Sequence, residues 1–252
     1  MGFFGKLFGG GKDDGEGGTA KEDKQVLKLQ AKLMNKYVQT NERKRVMALL
    51  SEIGSDAALT ALLGRFKYVT DGSIVDEDEK ELVYEVIKSK GPAVIPVLRR
   101  FIDTEINIYW PLRALTEIGG EEIAVETLLE ALDGITDRFD RSMERMTNIV
   151  SCFRDYDQPA VLARLIKLAK DDSEEVRFLS VDGLTTFAQH QEAVDAILER
   201  LIDDEETGRV KTYIMDTLIE NRWNVKKYKK QLSDKLPEAY FVDDTGVIQR
   251  RH

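Results

Sequence analysis

Residues 168–204 read LAKDDSEEVRFLSVDGLTTFAQHQEAVDAILERLIDD, and their pattern decides the fold. From Ala193, apolar residues recur one, five and eight positions on, at Val194, Leu198 and Leu201. At 100° per residue these offsets fall within an arc of roughly 140°, which is one apolar stripe along a helix. Residues 174–188 read as a second amphipathic helix, and FAQHQ breaks the two apart. The unit is a helix pair.

The same unit recurs along the chain. Ala-Leu or Ala-Val stands at Ala58, Ala93, Ala124, Ala160 and Ala193, at intervals of 35, 31, 36 and 33 residues. Five residues after each alanine comes a leucine (Leu63, Leu98, Leu129, Leu165, Leu198), and eight after it Phe66, Phe101, Leu132, Leu168 and Leu201. Leu129, in the central repeat, is thus expected in the core. The breaks EIGS, SKGP and EIGG place Gly54, Gly91 and Gly119 where a left-handed residue ends a helix. First helices are expected near 42–53, 77–90, 106–118, 138–155, 174–188 and 206–221. Second helices are expected near 55–66, 92–102, 121–132, 158–169, 190–202 and 224–236. One pair cannot bury its own stripe, so the pairs must stack.

The expected fold is therefore all-α, an α-solenoid of about six helix pairs. Its parts are a glycine-rich tail at 1–18, a capping helix at 19–40, the array at 41–236 and a C-terminal tail at 237–252. In that tail, Asp243-Asp244-Thr245-Gly246 between two short apolar runs predicts a β-hairpin. The stretch at 168–204 resembles a HEAT repeat of the short kind also found in phycobilin lyases, through Asp172, Val176, Arg177 and the Ala-Val of its second helix. Residues 101–133 match less fully, with Ile108 where the arginine should stand. The resemblance covers about 41–236 and implies a binding scaffold with variable partners. The phycobilin-lyase likeness implies the alternative of an enzyme-associated helper.

Composition narrows the job. The chain of 252 residues carries a net charge of −9, which argues against coating nucleic acid. Cys152 is the one cysteine, so no intrachain disulfide or multi-thiolate metal site can form, and a reducing cytosol is the default. The opening is too short and broken for a signal-peptide core. The two histidines, His190 and His252, form no His-x-x-x-His or His-Glu motif of the kind that holds iron in some helical-repeat enzymes. The acidic runs at 75–81 and 203–206 read as solvated helix starts that complement the helix dipole. No catalytic, cofactor-binding or metal-binding residue emerges. The sequence-based expectation is a chain without catalytic activity or cofactor.

Two binding signals remain. A basic row falls seven residues after each repeat alanine, at Arg65, Arg100, Lys167 and Arg200, interrupted by Ala131. It is either a track for an acidic partner or a set of cations near helix C-termini. The cluster Trp223, Lys226, Lys227, Tyr228, Lys229 and Lys230 sets aromatics among cations, as interfaces favour, although an end cap would also use them. At the N-terminus, Phe3, Phe4, Leu7 and Phe8 would lie on one side of a helix ahead of the polar, glycine-rich 9–18. Two readings stay open: a reversible anchor to a membrane surface or a partner groove, and a plain disordered terminus. The expected partner is another protein with an acidic segment, with weak membrane contact and no nucleic acid. Oligomeric state is not legible.

Overall fold

The computed structural model describes residues 14–70 and 72–251; of residues 14–19 only the backbone is described. Helix α1 (Asp14–Leu33) begins inside the stretch expected to be tail. Six pairs follow in order. They are α2 (Thr40–Ile53) with α3 (Asp56–Leu63), α4 (Ser73–Ser89) with α5 (Ile95–Thr104), and α6 (Tyr109–Gly119) with α7 (Glu121–Asp133). Then come α8 (Asp140–Cys152) with α9 (Pro159–Leu168), α10 (Glu174–Leu184) with α11 (Gln191–Ile202), and α12 (Gly208–Glu220) with α13 (Lys229–Ser233). Short 3₁₀ turns extend several of these helices. A hairpin of β1 (Tyr240–Val242) and β2 (Ile248–Arg250) closes the chain, antiparallel, with Val242 opposite Ile248. The all-α fold of paired helices in series is what the repeats predicted.

Gly54 and Gly91 take a positive φ where a helix ends, as expected, whereas at the third break the positive φ falls on Gly120, one place later than the expected Gly119 and directly ahead of α7. The chain divides into two compact units: residues up to Phe101 together with Trp110–Ile118, and Ile102–Tyr109 together with Gly119 onward.

In the first unit, α1 lays Val26, Leu29 and Leu33 against α2 and α3, whose Met47, Leu50, Leu62 and Leu63 are all buried. Val83, Tyr84 and Ile87 of α4 and Trp110 and Leu115 of α6 continue that core. In the second unit, Ile149, Leu165, Val181, Leu184, Ile197, Leu198 and Ile214 form the equivalent layer. Gly183 lets α10 approach α9 closely, because a Cβ there would stand 2.9 Å from Leu165 Cδ1.

The stripe holds with one correction. Leu63, Leu98, Leu165 and Leu198 are buried, whereas Leu129 is only half-buried and its neighbour Leu128 is sealed instead. In α7 the buried residues are Ala124, Val125, Thr127, Leu128, Ala131 and Leu132, so the small Ala131, where other pairs carry a cation, lies inside the sealed face.

The sixth pair departs further from expectation. Residues 224–236 form a 3₁₀ turn (Lys226–Tyr228) and the five-residue α13 rather than one helix. The hairpin ties down the start of this segment. Val225 N–H donates to Gly246 O at 2.7 Å, and Asn224 Nδ2 donates to Thr245 O at 2.9 Å. Gly246 makes that approach possible at φ 91°, since a Cβ would meet Lys226 Cβ at 2.7 Å.

Candidate interaction surfaces

The basic row does not form one surface. Arg65 is fully buried, which corrects its assignment to a partner track. Its Nε donates to Glu79 Oε2 and one terminal nitrogen to Asp76 Oδ1, both at 2.7 Å, while the other terminal nitrogen donates to Tyr68 O at 3.0 Å. From the other side Arg43 Nε donates to Glu79 Oε1 at 3.0 Å, and Arg43 also donates to the carbonyl of Val38. Glu79 is thus held between two guanidinium groups, and Asp76 is held by Arg65, the Thr70 N–H and Lys80 Nζ at 2.6 Å. Burial pushes the Asp76 carboxyl up, but the hydrogen bonds from Lys80, Arg65 and Thr70 outweigh it and hold the pKa well below the usual carboxylate range.

This also corrects the reading of 75–81 as a solvated run. Asp76 and Glu79 face inward, while Glu77, Asp78 and Glu81 are exposed. The signal missed in sequence is spacing. Asp76, Glu79 and Val83 share one helix face with the core, so two acids continue an apolar stripe and need internal cations.

The second unit repeats the device. Glu206 accepts from Arg177 Nε at 2.9 and 3.1 Å and from an Arg177 terminal nitrogen at 2.8 Å. Arg200 approaches the same carboxylate at 3.7 Å and Asp203 at 3.1 Å. The leading arginine of a pair and the arginine at the +7 offset therefore grip one acid from the next pair. Arg200 belongs to the interior of a junction. The 203–206 run is corrected likewise, since the Glu206 side chain is sealed.

Arg100 and Lys167 are the exposed members of the row. Arg100 pairs with Asp56 at 2.7 Å. Lys167 lines a groove of about 390 Å³ with Arg138, Arg164, Lys170 and Asp171. Two of those cations are bound within it: Arg138 to Asp171 at 2.9 Å and Arg164 to Asp133 at 2.7 Å.

The C-terminal cluster is divided. Lys227 pairs with Asp195 at 2.8 Å, and Lys229 donates to Asp243 O at 3.1 Å. Tyr228 is also held by Asp195; burial and that carboxylate push its phenol up to about 12. Lys226 and Lys230 are exposed and make no ion pair among the described residues, and Trp223 is half-buried beside them in sequence. Arg222, exposed and at φ 52°, turns the chain sharply after α12 and sets where Trp223 begins. The anchor candidates Phe3, Phe4, Leu7 and Phe8 lie outside the described residues.

For chemistry the described residues offer little. No group of three or more His, Cys, Asp or Glu side chains among them is placed to hold a metal ion. Burial, reinforced by Asp155, raises the Cys152 thiol to about 11, so it stays protonated and weakly nucleophilic at neutral pH. No described helix is long and apolar enough to cross a membrane.

No known protein-family profile matches the chain, and no curated protein matches it in sequence. Among solved structures it resembles human deoxyhypusine hydroxylase in complex with glycerol, with 13% identity and a TM-score of 0.33 over 88% of this chain and 96% of that one. That protein is an enzyme, which corrects the expectation of a chain without catalytic activity. Helix pairs bury one face of each helix and leave the other open, so such a fold is no ground for excluding chemistry.

Proposed function

We propose that this protein is a cytoplasmic HEAT-like scaffold that binds a protein partner through an acidic segment of that partner. The observation that supports this is the division of its cations. Arg43, Arg65, Arg177 and Arg200 are occupied inside repeat junctions, whereas Lys226 and Lys230, which follow Trp223 closely in sequence, stand exposed without ion pairs among the described residues. Exposed cations beside a half-buried aromatic suit an acidic peptide: the ring supplies desolvated contact area and the ammonium groups supply steering. The hairpin fixes this platform through Val225 and Asn224. The segment carrying Phe3, Phe4, Leu7 and Phe8 serves in this reading as a peripheral tether.

Affinity capture from the native host tests it. Lys226→Glu with Lys230→Glu should lose a partner that the unaltered chain retains, and raised salt should mimic the loss. Equal recovery of every captured protein by both forms would refute this surface.

A further inference from the structure

Helix α1 carries a second charged surface, which neither the repeat pattern nor the basic row includes. Lys21, Lys24, Lys28 and Lys32 fall within roughly 80° of arc at 100° per residue, on the flank away from the buried Val26, Leu29 and Leu33. They span about 17 Å along the helix axis. Lys21, Lys24, Lys28 and Lys32 line an open groove of about 390 Å³ together with Gln25 and the edge of Leu29. The nearest acids in sequence, Glu22 and Asp23, project outside that arc. Lys32 is tied to Glu42 at 2.9 Å, but Lys21, Lys24 and Lys28 make no ion pair among the described residues. Leu27, 62% exposed, stands between Lys24 and Lys28 toward the other side of the same outward face.

We propose that this face of α1 docks on an anionic membrane surface. Charge complementarity favours that occupant: the chain as a whole is acidic, with a net charge of −9, so a local cluster of cations orients it toward a negative plane. The cations are all lysine, compact charges on long stems that reach headgroups without needing the fixed fork geometry of a single peptide carboxylate. The exposed Leu27, at the edge of that face, supplies the shallow apolar contact of an interfacial helix. The residues just ahead of α1 include Phe3, Phe4, Leu7 and Phe8, and stable peripheral binding needs two such signals, one apolar and one polybasic. The inference deepens the tethering part of the function proposed above and does not depend on the protein-binding part.

Vesicle sedimentation of the full chain tests it, using phosphatidylcholine vesicles with and without about a third phosphatidylserine, at low salt and at about 0.5 M salt. The unaltered chain should sediment with the anionic vesicles only and be released by salt. Lys21→Gln, Lys24→Gln and Lys28→Gln together should weaken that partition on the order of a hundredfold, at about fivefold per lysine. The melting temperature should stay unchanged, because the three side chains are exposed. A chain lacking residues 1–11 should bind more weakly but keep its lysine dependence. If that deletion binds as well as the full chain while the triple variant fails, the lysine face stands and the apolar tether falls. Equal binding to both vesicle types, equal binding by the triple variant, or no sedimentation at all overturns the proposal. In the last case capture of a partner through Lys226 and Lys230 is unaffected.

Discussion

Glu79 in the first unit and Glu206 in the second are each gripped by two arginines, and the two grips are sealed to different degrees. Around Glu79 the side chains of Arg43 and Arg65 are 4% and 0% exposed. Around Glu206, Arg177 and Arg200 are 14% and 15% exposed. The first grip is complete, with Arg65 giving its donors to Glu79, Asp76, Tyr68 O and Thr70 Oγ1. The second is looser: Arg200 stands 3.7 Å from the carboxylate, and its buried Nε makes no hydrogen bond among the described residues. One arrangement of residue types therefore yields two different energetic objects. Where water is excluded, removing one member strands a charge; where water reaches the rim, it takes over part of the lost role.

The largest effect should follow Glu79→Ala, which leaves two buried guanidinium groups facing each other. The expected loss is about 3–5 kcal/mol, read as a lowered denaturation midpoint. Glu206→Ala should cost less, roughly 1.5–3 kcal/mol, the range for charge-assisted hydrogen bonds that water can partly replace. If the two variants unfold at the same denaturant concentration, exposure at the rim is not what separates the grips.

Acid should act through Asp76 in the first unit. Its pKa is depressed in the folded chain, so its contribution is fully present above the unfolded value near 3.9 and is lost as pH falls through the lower folded value. Stability measured from pH 5 down to pH 2 should therefore decline, and Asp76→Asn should flatten that decline while lowering stability at pH 7. A variant with an unchanged slope would remove Asp76 from the acid response.

The helix pairs were legible because apolar spacing is a local property, and Leu63, Leu98, Leu165 and Leu198 sit where it put them. Leu129 was not, because Leu128, one place earlier, is the sealed residue of α7, and the spacing rule does not separate two adjacent leucines. The grips on Glu79 and Glu206 were hidden for a different reason. Arg43 and Glu79 stand 36 residues apart, and the acids are embedded in runs whose other members are solvated. Charge alone does not mark which acid turns inward; its register with the apolar stripe does, as Asp76, Glu79 and Val83 illustrate. The C-terminal helix was misread because the hairpin's demand on Asn224 and Val225 is long-range.

The smallest expected effect is the most direct check on the row at the +7 offset. Arg65 and Arg100 hold the same place in successive pairs of the first unit, yet Arg65 is sealed and Arg100 has a side chain 59% exposed, paired with the still more exposed Asp56. An exposed ion pair is screened by water and salt and constrains two long side chains, so Arg100→Ala should cost only about 0.2–1 kcal/mol. That small loss should shrink further at high salt. Arg65→Ala, at the same repeat position, would take a buried cation from both Glu79 and Asp76, leaving them to Arg43, Lys80 and the Thr70 N–H, and belongs with the severe variants. A large, salt-insensitive loss at Arg100 would mean that repeat position, rather than burial, sets the energetics of the row.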